Sequence, residues 1–113
     1  MRLTIFGSGY VGLVSGACFA EFGANVTCVD KDEHKINALL KGEIPIYEPG
    51  LDDLVERNVK AGRLSFSIDL EHAVRDAQLV FIAVGTPTRR GDGHADLQYV
   101  YAAAEEVAGY LSG

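Results

Sequence analysis

The residues whose types and spacing suggest chemistry lie near the start of the chain: Gly7-Ser8-Gly9-Tyr10-Val11-Gly12, with the spacing G-x-G-x-x-G, and one acid further on, Asp30. Six residues of this kind recur by chance, so their surroundings decide what they mean. Here the apolar run Leu3-Thr4-Ile5-Phe6 precedes them, a helix-like pattern follows, and Asp30 closes the next apolar stretch. Strand, glycine turn, helix and an acid after the second strand together make a dinucleotide-binding fingerprint. Each glycine has its own task in that reading. Gly7 permits the tight turn out of the strand, Gly9 lets the backbone approach a pyrophosphate, and Gly12 lets the helix lie close to the sheet. The helix N-terminus adds free N–H groups and the positive end of its dipole, both suited to phosphate.

A carboxylate at Asp30 accepts hydrogen bonds from ribose hydroxyls and repels a 2′-phosphate, so the expected cofactor is NAD rather than NADP. The competing reading makes Asp30 a turn former or cap, although Asp32 is the better placed N-cap for the following helix. Lys35, one turn into that helix, is a candidate ribose contact, with a solvated lysine as the plainer alternative. Thr86, in Gly85-Thr86-Pro87-Thr88, leaves a later strand at the same sheet edge and is a further cofactor-binding candidate.

These residues need elements to position them. A first helix is expected from about Val11 to Phe22, with Gly12, Gly16 and Ala20 on one close-packing ridge and Gly23 as its stop. Asn25 to Asp30 reads as the second strand, and Glu33 to Lys41 as a helix ended by Gly42. The segment from Gly42 to Gly50 carries two prolines and no period, which marks a shaped loop. A third helix follows with Leu51, Leu54, Val55 and Val59 toward the core, ended by Gly62. Leu64 to Ile68 is the third strand, and Asp69 caps a short helix through Arg75. Leu79 to Val84, apolar throughout, reads as a central parallel strand covered on both faces. Asp96 then caps a last helix with the stripe Leu97, Val100, Ala104, Val107, Ala108 and Leu111. Strands alternating with helices predict an α/β chain with a Rossmann-type, doubly wound parallel sheet. If the strand order is 3-2-1-4, Leu79 to Val84 becomes an apolar edge open to edge pairing.

Composition narrows the function. The 113 residues form one ordinary domain, 48% hydrophobic, with a formal net charge of −6. No basic cluster longer than Arg89-Arg90 occurs, which argues against a nucleic-acid surface. No apolar run approaches the roughly 20 residues of a membrane span, and nothing precedes the first strand that reads as a signal peptide, so a cytoplasmic location is expected. Cys18 and Cys28, both expected to be buried, lack the spacing of a zinc site or a disulfide framework. His34, His72 and His94 lack ligand spacing as well, and no metal site is expected.

With the motifs laid out, the chain resembles the N-terminal NAD-binding portion of the UDP-glucose/GDP-mannose dehydrogenase family along essentially its whole length. The glycine motif extended to Leu13, and Val29-Asp30, are shared by many dehydrogenases. Pro45-Ile46-Tyr47-Glu48-Pro49-Gly50-Leu51 and Val84-Gly85-Thr86-Pro87-Thr88 together carry the resemblance. It implies that Gly7, Gly9, Tyr10, Val11 and Gly12 meet the NAD pyrophosphate, that Asp30 and Lys35 meet the adenosine ribose, and that Thr86 contacts the cofactor.

The family oxidises a sugar primary alcohol to a carboxylate in two NAD-dependent steps, which require a cysteine nucleophile and acid/base groups. Neither Cys18 nor Cys28 is placed for that role. The resemblance therefore implies an incomplete cofactor domain, truncated after about four strands, with no catalytic residue among residues 1–113. Tyr47 favours UDP-glucose, giving UDP-glucuronate, over GDP-mannose as the substrate of the intact enzyme, which is expected to be a homo-oligomer. A non-catalytic NAD-binding module and a flavin enzyme of the same fold are the other readings, and neither needs the Pro45 to Gly50 loop.

Overall fold

Residues 1–44, 48–84 and 98–111 are described by the computed structural model. They run β1 (Arg2–Phe6), α1 (Tyr10–Glu21), β2 (Asn25–Val29), α2 (Glu33–Leu40), α3 (Leu51–Lys60), β3 (Leu64–Ser67), α4 (Leu70–Asp76), β4 (Leu79–Ile82) and α5 (Gln98–Tyr110). All strand pairings are parallel and the order is β3-β2-β1-β4, as expected. The direction of winding reverses at β1, where β2 lies on one side and β4 on the other.

Alternation along the strands divides the core in two. Leu3 and Ile5 of β1, Val26 and Cys28 of β2, and Leu64 and Phe66 of β3 pack with Leu13, Ala17 and Ala20 of α1, Ile36 and Leu39 of α2, and Leu51 and Val55 of α3. Phe6 and Val29 point to the opposite face and pack with Leu70, Ala73 and Val74 of α4 and Ala103 and Val107 of α5. A strand side chain changes face at every residue, so a one-residue slip in pairing would exchange the two sets and bring each against the wrong helices. Thr4, buried on the second face, donates its hydroxyl proton to the Ala73 carbonyl at 2.8 Å and so costs little there.

Helix ends follow local chemistry. Asp32 accepts from the N–H groups of His34 and Lys35, and Asp69 accepts from that of His72. Gly23, Gly42 and Gly62 take positive φ just beyond the ends of α1, α2 and α3. The proposed cap at Asp96 lies outside the described residues.

Three packing expectations are corrected. In α3, Asn58 is fully buried and Val59 is 43% exposed. Residues 51, 55 and 58 share the inward stripe, and the Asn58 position suits an amide because its Oδ1 accepts from Arg63 and its Nδ2 donates to the Leu54 carbonyl. In α5 the buried positions are Ala103 and Val107, with Val100 and Tyr110 half-buried, while Ala104, Ala108 and Leu111 are exposed. The face turned inward is the one that meets α4. In β4, Leu79, Phe81 and Ile82 are exposed rather than covered on both faces. An all-apolar strand signals burial only if neighbours are present, and among the described residues β4 pairs with β1 alone. Phe81 is partly covered by Phe19 of α1, the rings stacked with centroids 5.4 Å apart.

Candidate functional site: a cleft at the carboxyl ends of β1, β2 and β4

The winding reversal splays the segments that leave β1 and β4, and a cleft of about 710 Å³ opens between them. Its lining includes Gly7, Ser8, Gly9, Tyr10, Val11, Asp30, Lys31 and Lys35, with Ala83 and Val84 across from them and Val100 from α5. Open parallel sheets place ligands at this point, outside the carboxyl ends of the strands where the order reverses.

The glycines differ in what the fold itself demands of them. Gly7 has φ +120, and a Cβ there would stand 2.5 Å from the Ala83 carbonyl oxygen, so turn geometry and the approach of β4 both exclude a side chain. At Gly12 a Cβ would come within 1.9 Å of the Gly7 carbonyl oxygen, because α1 begins directly against the turn that launches it. Gly16 continues the ridge one helical turn later, where a Cβ would be 2.7 Å from the Cys28 sulfur. Gly9 is unlike these. Its backbone is extended, φ −75 and ψ −164, and among the described residues a Cβ would meet no protein atom within 4 Å. Among the described residues nothing requires a glycine there, while the cleft has a use for one: an unobstructed backbone beside an outside group. Gly9 is also the N-cap of α1 and bears no side-chain cap. The first-turn N–H groups of Tyr10, Val11 and Gly12 have no carbonyl to bond within the helix.

Asp30 serves the fold as well as the cleft. Its Oδ2 accepts from the Ser8 backbone N–H at 3.0 Å and the Ser8 hydroxyl at 2.8 Å, and its Oδ1 accepts from the Asp32 N–H at 2.9 Å. The turn-forming role weighed in the sequence is thus real, and it leaves each carboxylate oxygen with further acceptor capacity toward the cleft. Burial opposes ionisation of this half-buried acid. The Asp32 N–H, the Ser8 hydroxyl, the Ser8 N–H and the Lys35 ammonium together outweigh burial and hold the carboxyl below its usual range.

Ser8 was missed in the sequence, although a small hydroxyl residue inside the glycine motif was the available signal. Lys31 and Val100 were missed too: Lys31 directly follows Asp30, which was the available signal, whereas Val100 reaches this cleft only through the docking of α5. Tyr10 reaches Glu48 of the second motif, its hydroxyl donating to Oε2 at 3.5 Å, the long end of hydrogen-bond range. Pro45, Ile46, Tyr47 and the segment containing Thr86 lie outside the described residues.

Contrary to expectation Cys18 is exposed, on the outer side of α1, whereas Cys28 is buried and its thiol is pushed up to about 12 by that burial. A thiol reagent at pH 8 should therefore consume one equivalent in the native protein and two after denaturation. Rapid loss of both thiols would contradict the packing of α1 on β2. Among the described residues no cluster of His, Cys, Asp or Glu has the makings of a metal site. No described helix is long and apolar enough to cross a membrane.

Sheet order, glycine turn and anchored acid define the class: a dinucleotide-binding α/β domain. The family model for the NAD binding domain of the UDP-glucose/GDP-mannose dehydrogenase family matches residues 1–113, and the chain belongs to that family. The cofactor of such a domain is NAD, in keeping with the acid after β2. A UDP-glucose 6-dehydrogenase of Rhizobium meliloti is 67% identical over the whole of this chain, which covers 26% of that relative. Among solved structures, a UDP-glucose dehydrogenase from Pyrobaculum islandicum aligns with TM-score 0.88 and 44% identity, over 96% of this chain and 25% of its own. A GDP-mannose dehydrogenase from Pseudomonas aeruginosa, solved as a ternary complex, aligns with TM-score 0.88 and 41% identity, over 95% of this chain and 24% of its own. The chain thus spans about a quarter of the length of the relatives it matches.

Proposed function

We propose that residues 1–113 are one NAD-binding domain that serves a nucleotide-sugar 6-dehydrogenase, oxidising UDP-glucose to UDP-glucuronate with two NAD. The observation that carries the reading is Gly9, a glycine that neither its backbone conformation nor packing among the described residues requires, set at an open helix N-terminus in the cleft. In this reading the pyrophosphate lies across Gly7, Gly9, Tyr10, Val11 and Gly12, held by first-turn N–H groups and the α1 dipole. Asp30 accepts from the adenosine ribose hydroxyls while Ser8 and Asp32 fix its orientation. Lys35 lies beside the ribose, and Thr86 contacts the cofactor from the segment after β4. NAD, when bound, supplies the hydride acceptor for the oxidation.

The preference for UDP-glucose is supported by the 67% identity to a UDP-glucose 6-dehydrogenase and by Tyr47 in its loop. GDP-mannose is the second reading, supported by the 41% identity to the Pseudomonas enzyme. The whole enzyme is taken to be a cytoplasmic homo-oligomer that acts on a small-molecule nucleotide sugar, with no nucleic-acid or membrane partner.

Calorimetry tests the cofactor half. This chain's cleft gathers residues suited to the ADP portion, so NAD and ADP should bind with similar, weak affinity, and failure of both to bind would overturn the assignment. For the longer protein, NADH absorbance should rise faster with UDP-glucose than with GDP-mannose. The reverse order would overturn the substrate.

A further inference from the structure

The cleft poses a problem of charge. Asp30 is the group expected to reject a 2′-phosphate, yet Lys31 and Lys35 line the same cleft, so these three side chains together carry one positive charge. Such a set attracts a phosphate. Lys31, however, is held from outside the ribose edge: its Nζ lies 2.5 Å from Glu106 Oε1 on α5. The lysine side chain is 61% exposed and the glutamate 27%, so the carboxylate is the more fixed partner and the lysine is drawn toward it.

From this geometry we infer that Glu106 is a specificity-determining residue for the cofactor, acting through Lys31. By holding the ammonium against α5 it neutralises the cation that otherwise reaches a 2′-phosphate. The exclusion of NADP then depends on α5 as well as on Asp30. Discrimination works here by withholding a favourable contact from the wrong ligand, a form of specificity that adds nothing to the right one. Asp30 cannot do this alone, because its single negative charge faces two lysines in the same cleft.

The inference rests on the proposed adenosine-ribose site, and the experiment separates the two. Binding of 5′-ADP, adenosine 2′,5′-bisphosphate, NAD and NADP to the full chain is measured by calorimetry for the unaltered protein, Glu106→Gln, and Glu106→Gln combined with Lys31→Met. Glu106→Gln should strengthen adenosine 2′,5′-bisphosphate and NADP on the order of tenfold relative to 5′-ADP and NAD, as expected for one released charge-assisted contact. The gain should disappear with Lys31→Met and shrink in 1 M salt, where the Debye length is about 3 Å. A merely structural role for Glu106 would weaken all four ligands together and leave their ratio unmoved, which overturns the inference while the site assignment stands. A gain that survives Lys31→Met also overturns it. If the unaltered chain binds none of the four, the site assignment falls and the inference with it.

Discussion

Gly9→Val is expected to abolish binding of both NAD and ADP while costing the fold only about 1 kcal/mol, the loss on placing a branched residue at the N-cap of α1. The separation of the two effects follows from the geometry. Among the described residues a side chain on Gly9 meets no protein atom within 4 Å and the backbone there is extended, so the fold registers only the poorer N-cap. A branched side chain nonetheless occupies the space in front of the α1 N-terminus where a pyrophosphate must lie. Gly12→Ala makes the opposite case. Its single methyl group would stand 1.9 Å from the Gly7 carbonyl oxygen, forcing α1 away from the turn at a cost of about 1–3 kcal/mol or more. Thermal unfolding and calorimetry on the two variants decide the matter. Retention of NAD affinity by Gly9→Val would remove the observation on which the cofactor site rests.

Asp30→Ala should reduce NAD affinity by about 1–3 kcal/mol and narrow the preference over NADP, since a charged acceptor for the ribose is lost. It should also destabilise the chain, because the N–H and hydroxyl of buried Ser8 lose their acceptor. Acid titration distinguishes this double role. The native-state pKa of Asp30 is depressed, so its stabilising contribution is complete above the unfolded carboxylate pKa of about 3.9 and is lost as pH falls through the lower native value. The unaltered protein should therefore lose stability between about pH 5 and pH 2, and Asp30→Ala should show a shallower loss over that window. Glu21, paired with Arg57 at 2.6 Å and also depressed, keeps part of the slope in both proteins. Equal slopes would mean that the Ser8 contacts do not hold Asp30 ionised. Unchanged NAD affinity and selectivity in the variant would reduce Asp30 to a turn residue.

Local chemistry was legible without a structure wherever a residue type has few alternatives. Positive φ at Gly7, Gly23, Gly42 and Gly62, and the caps at Asp32 and Asp69, lie where composition placed them, because turn and cap geometry is decided within a few residues. The fold class was legible for a related reason. Alternating helical and strand periods, with short connections, leave few topologies besides a parallel wound sheet. Family membership was legible in two short motifs taken together, Pro45 to Leu51 and Val84 to Thr88, and the family model that matches residues 1–113 agrees. What stayed hidden depends on which surfaces meet. Asn58 carries no sign in the sequence that Arg63 and the Leu54 carbonyl will satisfy its amide, and Val59 beside it looks the better core residue. β4 looks central because apolarity records what a strand requires, whereas exposure records which neighbours are present. The Ser8 anchor on Asp30 joins residues 22 apart in sequence, and the Glu106 hold on Lys31 requires α5 to return across the sheet to the cleft. Pattern reports the state of a residue toward its own element. The pairing of distant side chains is settled only when the crossover helices dock, and that docking determines the charge that surrounds Asp30 in the cleft.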